Sequence, residues 1–71
     1  MRKFVKKFEN STGEFINGTE HGLGDALFIM VYKKQDGLLE KTNVGISVGV
    51  ESGDIKLEWN GELTGEVVIL G

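Results

Sequence analysis

Val44-Gly45-Ile46-Ser47-Val48-Gly49-Val50-Glu51-Ser52-Gly53-Asp54-Ile55-Lys56-Leu57-Glu58-Trp59-Asn60-Gly61 is the stretch that decides the fold. Large apolar residues take every second position: Val44, Ile46, Val48 and Val50 before the Ser52-Gly53-Asp54 turn, then Ile55, Leu57 and Trp59 after it. Successive side chains of a strand point to opposite faces, so this period of two predicts strands with one buried face each. Val44, Ile46, Val48, Ile55, Leu57 and Trp59 are expected in one buried layer, because a slip of one residue would turn the whole set to solvent. The positions between the valines, Gly45, Ser47 and Gly49, are small. Glycine inside a strand weakens it and marks a bend or the close approach of another backbone, a subunit or a ligand.

Working outward, Asp36-Gly37 and Asn60-Gly61 are hairpin signals, since a type I′ turn needs positive φ at both central residues and matches the twist of the strands it joins. With Ser52-Gly53-Asp54 they divide the chain into residues 25–35, 38–51, 54–60 and 62–71, which read as an antiparallel meander. Leu27-Phe28-Ile29-Met30-Val31-Tyr32 and Val67-Val68-Ile69-Leu70 are apolar at consecutive positions, a pattern expected where both faces of a strand are covered. Residues 26–35 also carry helix signals, with Asp25 as N-cap and Gly37 as stop. Phe28, Ile29, Val31 and Tyr32 are strand-favouring types, and strand is the preferred reading.

The amino-terminal third is less regular. Phe4 and Phe8 share a face in a strand and in a helical turn alike. The expected organisation is a single β domain over residues 1–71: a basic strand or arm at 1–8, a glycine-rich loop region at 9–24, and a four-stranded meander at 25–71. The fold class is all-β, a five-stranded, mainly antiparallel meander curled into an open barrel or half-sandwich completed by oligomerisation.

Composition constrains function. The chain has 71 residues, no cysteine and no proline, so disulfides, thiolate metal sites and proline-rich ligands are excluded. A hydrophobic fraction of 39% beside 27% charged residues argues against intrinsic disorder. The basic start lacks the apolar stretch of a secretory signal, and no run is long enough for a membrane helix, so a cytoplasmic protein without membrane contact is expected. Asn10-Ser11-Thr12 and Asn17-Gly18-Thr19 match the glycosylation pattern, which carries no chemistry in that compartment. His21 is the single histidine, and the serines are Ser11, Ser47 and Ser52, too few groups for an oriented catalytic set or a metal site. The loop Gly18-Thr19-Glu20-His21-Gly22-Leu23-Gly24 lacks the lysine of a phosphate cradle and carries an acid instead. No enzyme, cofactor or metal is expected.

Three surfaces remain as candidates. Glu51, Asp54, Glu58, Glu62 and Glu66 form an acidic set suited to a basic protein partner. Arg2, Lys3, Phe4, Lys6, Lys7 and Phe8 interleave cations with aromatics, as a nucleic-acid-binding barrel would. Against that alternative, four of the 8 basic residues lie in this segment, and the other four face 11 acids. On this reading, removing residues 1–7 changes charge more than core. Leu27, Ile29, Val31, Val68 and Leu70 are the expected homo-oligomer seam, because a core this small often relies on association for stability. The favoured function is a non-enzymatic, homo-oligomeric interaction protein, of a kind that suits a bacterial or phage accessory or inhibitor protein. It would bind a protein partner or hold a small ligand at a subunit seam.

Overall fold

The computed structural model describes residues 2–24 and 28–71. Its elements are β1 (Lys3–Ile16), α1 (Gly18–His21), β2 (Phe28–Gln35), β3 (Leu38–Thr42), β4 (Gly45–Val48) and β5 (Ile55–Leu70), with the strands in one antiparallel sheet. The alternative helix over residues 26–35 is displaced by β2; its proposed cap Asp25, together with Ala26 and Leu27, lies outside the described residues.

The sheet is built around β5. Along one edge β5 pairs with β1 over nearly its whole length, from Lys3↔Leu70 to Ile16↔Ile55. Along the other edge it pairs with β2 through Gly65–Leu70 and with β4 through Ile55–Glu58. β3 extends the sheet from the far side of β2. The backbones of Arg2 and Gly71 exchange hydrogen bonds at 2.8 and 3.0 Å, which carries the β1–β5 ladder to the end of the chain. The all-β expectation holds, and the sheet is not closed into a barrel.

The five strands are not the five read from the turns. Asn60-Gly61 is not a hairpin tip: both residues lie inside β5, which runs unbroken where two strands were expected. A type I′ turn needs positive φ at both positions, and only Gly61 has it, at 76°. The β1–β5 register shifts between Phe8 and Ser11 and again between Ser11 and Gly13, so this region takes up an irregularity while both halves of β5 stay on β1. Conversely, the stretch 38–51 is two strands. It breaks at Asn43–Val44, because β3 pairs with β2 whereas β4 crosses to β5. Asp36 (φ 55°) and Gly37 (φ 77°) do form the expected hairpin turn between β2 and β3. Ser52-Gly53 joins β4 to β5, with Gly49 N–H donating to Asp54 O at 2.8 Å.

The loop expected at residues 9–24 is largely strand and helix, since β1 continues to Ile16 and α1 follows at once. The α1 helix owes its start to a distant residue. Asn17 occupies the cap position without a side-chain bond, and the Gly18 N–H donates instead to Asp54 Oδ1 at 2.7 Å. Gly22 ends the helix in the left-handed conformation, its N–H donating to Gly18 O.

The core lies on one face of the curled sheet: Phe8, Ile16, Val31, Ile55, Leu57, Val67 and Ile69 are buried, with Phe4, Leu23, Ile29, Val44, Val48, Trp59 and Leu63 packed on them. Alternation places Ile55, Leu57, Val67 and Ile69 there as a period of two requires. One member departs from the expected layer: Ile46 is 43% exposed on the edge strand β4, and Val50, which is not among that expected set, sits in the turn at 80%. Phe4 packs against the core cluster, and residues 3–8 pair with Gly65–Leu70, so the amino terminus is structural and not a charged tail.

Candidate interaction surface

The register defines a second, uncovered face. Across β1, β5 and β2 it sets Val5 beside Val68 and Val68 beside Met30; one row outward, Lys3 stands beside Leu70 and Leu70 beside Phe28. Phe28 is 69% and Val5 39% exposed, and Met30, Val68 and Leu70 are half-buried. The next row is polar, with Lys7 beside Glu66 and Glu66 beside Tyr32, whose hydroxyl donates to Met30 Sδ at 3.6 Å. Lys41 stands beside Tyr32 on β3. An apolar patch is thus rimmed by charges of both signs. Contiguous exposed apolar area of this kind makes this face a candidate association surface.

The expected seam residues divide between the two faces. Val68 and Leu70 lie on the outer face. Val31 is buried in the core and Ile29 packs on it, because both share the inner parity with Val67 and Ile69. Leu27 lies outside the described residues. Phe28, Met30 and Val5 were missed. The alternation that assigns Phe28 and Met30 to the face of Val68 could have been read only with the β2–β5 register in hand.

The acidic set is similarly scattered. Glu58, Glu62 and Glu66 share the outer parity of β5, and Glu58 pairs with Lys56 at 3.0 Å. Asp54 is occupied in holding α1 through Gly18, and Glu51 sits in the exposed β4–β5 turn.

The basic amino terminus does not form the stacking platform that its sequence suggested. Phe8 is buried against Trp59, ring centroids 5.0 Å apart, and the half-buried Phe4 meets His21 edge-on at 6.4 Å, so both rings are engaged on the core side. Lys6 lies on the inner side, 3.7 Å from carboxylate oxygens of both Glu14 and Glu20. Arg2 donates to Gly22 O at 2.8 Å, and Lys3 and Lys7 stand on the outer face, away from the aromatics.

His21 has a structural environment. It is buried, with Nε2 at 2.6 Å from Gly53 O, and the Leu23 N–H donates to Nδ1 at 3.0 Å. Accepting at Nδ1 leaves the proton on Nε2, which donates to the Gly53 carbonyl. Both ring nitrogens are consumed, leaving no lone pair for a substrate or metal. The small-residue positions Gly45 and Ser47 lie on the outer face beside Glu58 and Lys56, and Gly49 packs against the Ser52 hydroxyl inside the turn. No helix among the described residues is long and apolar enough to cross a membrane. Comparison with protein families, curated proteins and solved structures finds no match.

Proposed function

We propose that the protein is a non-enzymatic interaction module of the cytoplasm that works as a homo-oligomer, with the outer face of β1, β5 and β2 as its seam. The observation that carries this reading is the pair of apolar rows, Val5–Val68–Met30 and Leu70–Phe28, on the face opposite the core. A second copy is the preferred occupant because Lys3, Lys7 and Lys41 share this face with Glu66, so an isologous pairing can set opposite charges against one another. Packing the two outer faces turns a one-layer sheet into a sandwich, with sheets about 10 Å apart. Small domains without disulfides or metals commonly gain stability in this way. As an assembled module it would act as an accessory or inhibitor protein on a further protein partner, for which the acidic positions Glu58 and Glu62 on the same strand face offer a surface.

The test is a pair of substitutions that remove apolar contact and leave the core alone. Phe28→Ser and Val68→Thr, the latter keeping the branched shape β5 prefers, should give monomers of unchanged far-ultraviolet dichroism while the parent is an oligomer by light scattering. Oligomers that survive both changes would refute the seam.

A further inference from the structure

The chain contains two Asn-Gly sequences, Asn17-Gly18 and Asn60-Gly61, and the fold treats them in opposite ways. An asparagine followed by glycine is the sequence most prone to cyclise, because the next residue has no side chain to hinder attack by its own backbone nitrogen. In that reaction the Gly nitrogen, having given up its proton to water or base, bonds to the Asn Cγ. The Cγ–Nδ2 bond breaks, and ammonia leaves with the proton it needs. A succinimide remains, and water then adds to one of its two carbonyls. The product is an aspartate when one ring bond opens and an isoaspartate when the other does. Water is the co-reactant, and nothing is oxidised or reduced. Asparagine is thermolabile for this reason. The rate is controlled by whether the attacking nitrogen and the amide are free to meet.

At Asn17 they are not. The Gly18 N–H is committed to Asp54 Oδ1 at 2.7 Å, the Asn17 carbonyl accepts from both Glu20 N–H and His21 N–H, and the Gly18 Cα is pressed against the Ser52 carbonyl. Asn10 and Asn43 are followed by Ser11 and the β-branched Val44, and the Asn10 N–H is held by Thr64 Oγ1. Asn60 stands in a different setting. Asn60 and Gly61 are exposed, and neither has a register partner on β1, β2 or β4 among the described residues. The β4 ladder stops at Glu58 and the β2 ladder begins at Gly65. Gly61 has a φ of 76° and open space where a Cβ would stand.

We infer that Asn60 is a spontaneous modification site, the position at which the folded protein deamidates through a succinimide formed with Gly61. The consequence falls on the central strand. A carboxylate at position 60 would stand at the same parity as Glu58 and Glu62, making a row of like charges, and the isoaspartate form would add a methylene to the β5 backbone at its irregular point.

The experiment ages the 71-residue protein at mildly alkaline pH, native in one arm and unfolded in urea in the other. Peptide mass mapping then reads the small mass gain of amide-to-acid conversion at each asparagine, and isoaspartyl methyltransferase labelling reports the isomerised form. In urea, Asn17 and Asn60 should convert at similar rates; in the native arm, Asn60 should convert several-fold faster than Asn17. Asp54→Ala, checked for retained fold by tryptophan fluorescence, should release Gly18 and raise conversion at Asn17. Native conversion led by Asn17, or no native conversion at Asn60 while urea-unfolded chains convert at both sites, would overturn the inference.

Discussion

His21 and Gly53, thirty-two positions apart in the chain, are joined by a hydrogen bond of 2.6 Å from the imidazole to the carbonyl, and this bond fastens α1 to the β4–β5 turn. Asp54 makes the reciprocal contact by accepting from Gly18, so one turn holds both ends of the short helix. A four-residue helix has no stability of its own. These two bonds tie it to the β4–β5 turn.

His21→Ala should therefore destabilise the fold by about 2–4 kcal/mol, since it removes two hydrogen bonds, leaves the Leu23 N–H without its acceptor and opens space beside Phe4. Urea denaturation followed by Trp59 fluorescence measures it. A change near zero would contradict the structural role assigned to the ring.

Gly65→Ala should be costly as well. A Cβ at Gly65 would run into the Tyr32 carbonyl, where β5 and β2 come together in the middle of the sheet. Strand separation or a shift of β2 has to follow, at a cost of at least about 2 kcal/mol. Gly37→Asn is the control, because that position has a φ of 77° with nothing within 4 Å and asparagine tolerates the left-handed region. Thermal melts should separate the two variants clearly.

Deleting residues 1–7 should abolish the folded state. The deletion strips Phe4 from its place against the core and leaves Glu66–Leu70 of β5 without their β1 partners. Far-ultraviolet dichroism and amide exchange of the truncated chain would read this directly; a stable sheet would show that the amino terminus is dispensable.

Trp59→Phe should cost roughly 1 kcal/mol, chiefly through the lost bond from the indole N–H to the Ser11 carbonyl, given at 2.7 Å. That carbonyl lies where the β1–β5 register shifts, so exchange of the neighbouring amides should quicken more than exchange elsewhere.

Local pattern carried part of this structure in plain view. The alternation of Ile55, Leu57 and Trp59 gave the inner face of β5, and Asp36-Gly37 gave the β2–β3 turn, because both depend on neighbours in sequence alone. What was hidden depends on pairing at long range. Asn60-Gly61 has the composition of a hairpin, yet β1 is long enough to pair with both halves of β5, and the chain runs straight through. Residues 38–51 read as one strand, and break only because β2 and β4 occupy the same edge of β5. The outer face was half legible: Val68 and Leu70 stood out as surplus apolar residues, but Phe28, Met30 and Val5 join them only once the register is known, which also moves Val31 and Ile29 to the core.

Sedimentation equilibrium of the 71-residue protein over a wide concentration range tests self-association through the Val5–Val68–Met30 and Leu70–Phe28 rows. A mass that is a whole multiple of 7.8 kDa, reduced to that value by Phe28→Ser, is the predicted result. A parent protein that stays at 7.8 kDa at every concentration would contradict it.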